Sequence, residues 1–155
     1  MIESAFQDSG SVTHCFGCGA DNPDGLQIKS YWDGNDAVCT WTPARYHIGG
    51  DLTVVYGGII SCLVDCHSVN LAIATAYRAE SRAIGSEPKI SYVSAQLNIS
   101  LQKPTPMGVP LQLKASVTRV DGRKTWVSCS VSANGIVTAQ GEILAIRIRE
   151  TPPAK

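Results

Sequence analysis

The sequence predicts an α+β domain in which an antiparallel sheet of about six strands wraps around one long helix. Three observations carry this. Tyr56-Gly57-Gly58-Ile59-Ile60-Ser61-Cys62-Leu63-Val64-Asp65 opens an apolar run that continues through Val69, Leu71, Ala72, Ile73 and Ala76 without proline, so about 57–78 reads as a helix buried on most of its surface. Beyond residue 94, apolar and polar residues alternate in short segments divided by turn signals. The resulting order, β-β-α-β-β-β-β, joins one buried helix to a run of antiparallel pairings.

The elements follow in order. Residues 1–14 are polar and aperiodic and read as a loose or locally docked arm. Cys15-Phe16-Gly17-Cys18-Gly19-Ala20-Asp21-Asn22-Pro23-Asp24-Gly25 is dense in turn formers and reads as a compact loop. Strands near 26–32 and 37–43 flank the turn Asp33-Gly34-Asn35-Asp36, and a loop over 43–56 leads into the helix. The polar segment Glu80–Pro88 is a surface connection. Ala95, Leu97, Ile99 and Leu101 alternate with Gln96, Asn98, Ser100 and Gln102, which predicts a half-buried strand stopped by Pro104. Leu111, Leu113, Ala115 and Val117 repeat the pattern, then Asp121-Gly122 turns the chain into Val127, Cys129, Val131 and Ala133. Asn134-Gly135 is a type I′ hairpin signal feeding a last strand near 136–149. No internal repeat or linker is visible, so residues 15–150 read as a single domain followed by a tail at 151–155.

With 155 residues the chain suits one domain with one core. Thirteen basic and thirteen acidic residues cancel, and the pI is near 6.8. No basic stripe argues for nucleic acid, and no polybasic cluster argues for a membrane surface. The helix is apolar enough to raise the membrane question, but it carries Asp65, His67, Ser68 and Asn70 and stands among strands, which favours a core helix. The opening residues lack the basic and apolar regions of a secretory signal. Six cysteines therefore read as reduced thiols in a cytoplasmic protein.

The glycine pair and Asp65 are the chemical centre of the sequence. Glycine at a helix mouth lets a ligand approach free backbone N–H groups at the positive end of the helix dipole. A carboxylate seven residues past Gly58 lies about 10–12 Å further along the axis. The element thus offers a carbonyl or oxyanion site and a base. From residues alone, an equal reading has Gly57-Gly58 permitting close packing and Asp65 satisfied by Ser61 or Ser68 on the same face.

The motif Cys15-Phe-Gly-Cys-Gly-x-x-Asn-Pro-x-Gly-Leu26, then Gly57-Gly58, then Asp65, then the alternating strand ending at Pro104, resembles the hotdog-fold acyl-CoA thioesterases over roughly residues 14–149. The resemblance, of the phenylacetate-degradation type, implies a sheet around a central helix and homodimers with a continuous sheet, which often pair into tetramers. It places active sites at the dimer interface. It assigns the oxyanion contact to the Gly57 N–H, supported by Gly58, and a general-base or nucleophile role to Asp65. Ser94, ten residues before Pro104, inherits the role of holding the attacking water. The position before the glycines is commonly histidine in these enzymes and here is Tyr56. The asparagine of many members has no match in His47-Ile48-Gly49-Gly50-Asp51.

Other candidates are weighed on chemistry. Cys15-x-x-Cys18 invites zinc, but structural zinc wants four ligands, usually as two such pairs, and the remaining cysteines look scattered. Small buried thiols in a turn are the expectation, with no metal and no cofactor. His47 is a candidate pocket residue, and His67 reads as a core or interface histidine. Arg123-Lys124, after Asp121-Gly122, is the cationic pair with which coenzyme A phosphates would be met, or else a solvated hairpin. The expected function is hydrolysis of a small or medium acyl- or aryl-CoA. A non-catalytic hotdog module that binds acyl-CoA or acts as a dimeric scaffold is the alternative. A dehydratase would want a histidine–carboxylate pair that has no place here.

Overall fold

The computed structural model describes residues 4–148. The expected tail at 151–155, the end of the last strand at 149 and the first three residues lie outside them. The elements are a 3₁₀ turn at Phe6–Asp8, β1 Tyr31–Asp33, β2 Asp36–Trp41, α1 Gly57–Ala79, β3 Tyr92–Leu101, β4 Leu111–Asp121, β5 Lys124–Ala133 and β6 Ile136–Arg147. The strands form one six-stranded sheet in the order β1-β2-β4-β5-β6-β3, antiparallel throughout. This is a hotdog fold: one long helix in the hollow of one curled sheet.

The packing follows from side-chain size. The sheet turns Ala37, Leu113, Ala115, Val127, Val131, Ala139, Ile143 and Ala145 inward, all buried, against Ile60, Leu63, Val64, Leu71 and Ala72 of α1. Alanines on the sheet bring the helix backbone close, while branched residues fill the remaining volume. α1 is long and apolar enough to cross a membrane by length and composition, but it is the core helix of this sheet. The β5–β6 hairpin turns through Asn134 and Gly135 with φ of 51° and 75°, the two positive angles of a type I′ turn.

Two strand expectations are corrected. Residues 26–30 are not β: Leu26 and Ile28 donate N–H bonds to Phe16 and Gly17 of the cysteine loop, and Trp41 Nε1 donates to the Leu26 carbonyl. Pairing with β2 starts only at Tyr31. The strand containing Leu97 is not half-buried. Among the described residues β3 is an edge strand bonded only to β6, and most of its side chains are exposed on both faces. Its alternation is also broken, because Ser94 pairs with Ala145 and Gln96 with Leu144, leaving Ala95 as a bulge.

The arm is docked over its described part. Phe6 is buried with its ring against Trp32, centroids 4.8 Å apart. The Phe6 N–H donates to the Ser30 carbonyl, Ser30 N–H donates to Gln7 Oε1, and Gln7 Nε2 donates to Ser30 Oγ at 2.9 Å. Ser30 Oγ in turn donates to His67 Nδ1 at 2.8 Å, and His67 Nε2 donates to the Ala37 carbonyl at 3.1 Å. Full burial holds this histidine neutral, with its pKa pushed down to about 4. His67 is therefore a core histidine whose chain of bonds ties arm, strand edge and helix together. Replacing it with leucine, similar in bulk, leaves the Ser30 hydroxyl hydrogen without its acceptor and the Ala37 carbonyl without its side-chain donor, and is expected to cost about 1–3 kcal/mol. Denaturant unfolding should show a lower midpoint with unchanged slope, together with faster proteolysis of the arm. An unchanged midpoint would remove this network from the account.

Candidate active site

α1 begins without a side-chain cap: Tyr56 is the N-cap, and its carbonyl accepts the N–H groups of Ile59 and Ile60. The N–H groups of Gly57 and Gly58 have no acceptor among the described residues, which leaves the positive end of the helix available to an oxygen. A side chain at either glycine would have to displace an exposed, movable neighbour. A Cβ on Gly57 would stand 2.8 Å from Leu101 Cδ1, and one on Gly58 would stand 2.4 Å from the Tyr56 ring.

The loop that delivers this end is fixed. Tyr56 N–H donates to the His47 carbonyl at 2.9 Å, Gly49 N–H to the Val54 carbonyl, and Val55 N–H to Thr105. His47 is a staple within the loop. Its Nδ1 accepts the Ala44 N–H at 2.9 Å, its ring lies tilted against Trp41 and edge-to-face with Tyr46, and partial burial lowers its pKa. Tyr56 itself is exposed.

Asp65 lies two turns on, half-buried, on the wall of a cavity of about 270 Å³. Burial raises its pKa above the usual carboxylate value, and a hydrogen bond with Ser94 works in the opposite direction. Ser94 reaches it because of the bulge. Strict alternation would put Ser94 with the polar face of β3, whereas the extra residue at Ala95 gives Ser94 the same facing as Leu97 and Ile99, toward α1. Val69, Ile73, Tyr77 and Tyr92 make most of the remaining wall apolar, and the arm from Phe6 to Val12 closes one side.

The structure thus brings Asp65 and Ser94 together. Gly57, Gly58, Tyr56 and His47 do not line this cavity; they stand at the other end of the same stretch of helix. Arg123 and Lys124 are exposed on the β4–β5 turn, with Arg123 Nη1 donating to the Arg147 carbonyl. Lys124 stands across β6 from Val93, at the end of the sheet where β3 meets the cavity.

Sequence reasoning weighed Cys15-x-x-Cys18 and read it as thiols packed in a turn, without joining it to Cys66. Cys15, Cys18 and Cys66 all line the cavity beside Asp65, and their sulfurs lie within 4.8 Å of one another. The signal was present in the i, i+4 spacing of Cys62 and Cys66, which sets both on one helix face opposite the Cys15–Cys18 loop.

No protein-family model and no curated protein matches the chain. Solved structures do. A thioesterase superfamily protein from Shewanella loihica PV-4 is 34% identical, over 79% of this chain and 91% of its own, with a TM-score of 0.64. The E. coli PaaI protein of the phenylacetic acid degradation operon is 18% identical, over 81% of this chain and 83% of its own, with a TM-score of 0.65. A Streptococcus mutans protein bound to acetyl CoA is 14% identical, over 79% of this chain and 90% of its own, with a TM-score of 0.64. The last two are likenesses of fold alone.

Proposed function

The chain belongs to the hotdog-fold thioesterase superfamily, and on that premise we propose that it is a cytoplasmic acyl-CoA thioesterase acting on small or medium acyl or aryl groups. The observation that carries the proposal is Asp65, with Ser94 beside it, on the wall of a largely apolar cavity. The acetyl CoA in the Streptococcus mutans neighbour, and the phenylacetic acid operon of the E. coli one, are consistent with this substrate class.

In the proposed reaction the thioester carbonyl lies at a helix N-terminus, its oxygen toward the Gly57 N–H, with Gly58 leaving room for it. Asp65 takes a proton from a water positioned by Ser94, and the water oxygen bonds to the carbonyl carbon. The C–S bond breaks, the coenzyme A sulfur leaves with its electron pair and takes up a proton, and a free acid remains. Each part has a scale: a general base is worth roughly 10²–10⁴ in rate, and one oxyanion donor about 10²–10³ in kcat.

Within one chain Gly57 and Asp65 are too far apart along α1 to serve one carbonyl, so the proposed site is composite. β3 is a ten-residue edge strand with Val93, Leu97 and Leu101 exposed by 47%, 44% and 57%. A long apolar edge of this kind favours pairing with another chain. Antiparallel pairing of β3 with the same strand of a second copy would continue the sheet and bring Gly57 of the second copy toward Asp65 of the first. Such homodimers can pair again into tetramers. Arg123 and Lys124 are proposed to meet the phosphates, and His47 to hold the loop behind Tyr56.

One observation favours a second reading. Tyr56 stands exposed where histidine is common, and a module that binds acyl-CoA without turning it over would tolerate that change.

Hydrolysis of a panel of aliphatic and aryl acyl-CoAs, with released thiol as readout, separates the readings. Asp65→Asn is expected to lower kcat by about 10²–10⁴, and Ser94→Ala by the few-fold worth of one hydrogen bond. Full activity in Asp65→Asn would discard the mechanism, and tight binding without turnover in the wild type would establish the second reading. Gly57→Pro tests the donor directly. Proline is favoured at the first helical position, and it deletes the N–H. Kcat is expected to fall by about 10²–10³, while Gly57→Ala, which keeps the donor, falls less. Arg123→Ala with Lys124→Ala should raise KM for coenzyme A thioesters and leave kcat unchanged; an unchanged KM would make the pair a solvated hairpin.

A further inference from the structure

The cavity wall beside Asp65 contains more sulfur than packing requires. The loop after residue 14 turns tightly, with Gly19 N–H donating to the Cys15 carbonyl at 2.8 Å, so that Cys15 and Cys18 present their side chains to α1. From the helix, Cys66 meets Cys15 with the sulfurs 3.6 Å apart. Cys62, one turn earlier, places its sulfur near that of Cys66 beside Gly17. Gly17, between the two loop cysteines, shows how close the approach is. A Cβ there would lie 2.2 Å from Cys66 Sγ and 3.2 Å from Cys62 Sγ, so any side chain at this position would strike both helix sulfurs.

A fixed polar neighbour stands beside the sulfurs. Asn70 Nδ2 donates to the Cys66 carbonyl at 2.8 Å, which holds that amide against the cluster. The remaining cysteines behave differently. Cys39 and Cys129 are buried in the sheet, and burial pushes their thiols up to about 11 and about 12.

Geometry then selects the ligand. A tetrahedral tetrathiolate with metal–sulfur bonds of about 2.3 Å needs sulfurs about 3.8 Å apart. The Cys15–Cys66 pair is already at that separation, and Cys18 completes a triangle with no side above 4.8 Å. Cys62 Sγ stands outside this triangle, one helical turn before Cys66, and a turn about its Cα–Cβ bond would have to carry it to the fourth corner. We propose that Cys15, Cys18, Cys62 and Cys66 bind one zinc ion as a tetrathiolate that fastens the 15–25 loop to α1 beside the cavity. Four sulfurs with no oxygen ligand favour zinc over harder divalent ions. Binding displaces the thiol protons to solvent, and no electron changes hands. The paired motif that seemed to be missing is Cys62-x-x-x-Cys66 on the helix.

The test needs the full-length chain, expressed in zinc-supplemented medium and purified with a phosphine reductant, without chelator and without a metal-binding tag. Elemental analysis is expected to give one zinc per chain. Chelation should lower Tm and expose the 15–25 loop to protease, and zinc alone should restore both. Cobalt(II) added to the stripped protein should give tetrahedral d–d bands with strong sulfur-to-cobalt charge transfer. That intensity should lose one ligand's share in Cys62→Ser and stay unchanged in Cys39→Ser. Substoichiometric zinc in the wild type, with no tetrahedral cobalt spectrum at saturation, would overturn the proposal. So would iron in place of zinc, or a spectrum indifferent to Cys62→Ser. The decisive metal analysis is made on the wild type, so it stands even if a cysteine variant fails to fold, and neither outcome depends on thioester hydrolysis.

Discussion

Burial of α1 on nearly all sides sets the terms for everything else in this molecule. One face, through Ile60, Leu63, Val64 and Leu71, closes the core of the sheet. The opposite stripe, through Asp65, Cys66, Val69 and Ile73, is covered by the cysteine loop, the arm and the start of β3, with the cavity between them. A helix covered by a sheet on one side only would carry Asp65 into water as an ordinary surface carboxylate. Covered twice, it holds the carboxylate half out of solvent, with its proton affinity raised and one hydroxyl as neighbour.

The second cover is built from polar bonds more than from apolar area. His67 passes a hydrogen bond through Ser30 to Gln7 and so determines where the arm lies. The Phe16 and Gly17 carbonyls take the N–H groups of Leu26 and Ile28, fixing the loop against the chain that leads to β1. Sulfur then meets sulfur across the helix. A zinc ion at that point would turn a contact held by weak thiol bonds into one held by coordination, next to the proposed catalytic carboxylate.

Much of this was legible in the sequence where the signal was local. The apolar run over 57–78 found α1 to within a residue, and Asp121-Gly122 and Asn134-Gly135 marked their hairpins through turn chemistry alone. What escaped depends on distant partners. Residues 26–30 look like a strand, yet the Leu26 and Ile28 N–H groups go to the cysteine loop and that of Ser30 goes to Gln7 of the arm. The Ala95 bulge exists only in the register of β3 against β6, and counting along the strand assigns Ser94 to the wrong face. Exposure of Leu97 and Leu101 follows from β3 lying at the sheet edge, which alternation cannot reveal. Asp65 and Ser94 could be named from resemblance, but only the fold puts them in contact. Cys62 and Cys66 were readable as a helical pair, and only the docked loop gives that pair its counterpart.

The central proposal is that a site needs Asp65 from one copy of the chain and Gly57 from another. The most direct measurement is complementation between the Asp65→Asn and Gly57→Pro proteins, each weakly active alone, co-expressed and purified as mixed dimers. The account predicts that thioester hydrolysis returns, because each mixed dimer contains one site with both groups intact and one with neither. Mixed dimers no more active than the separate variants, alongside an active wild type, would contradict it.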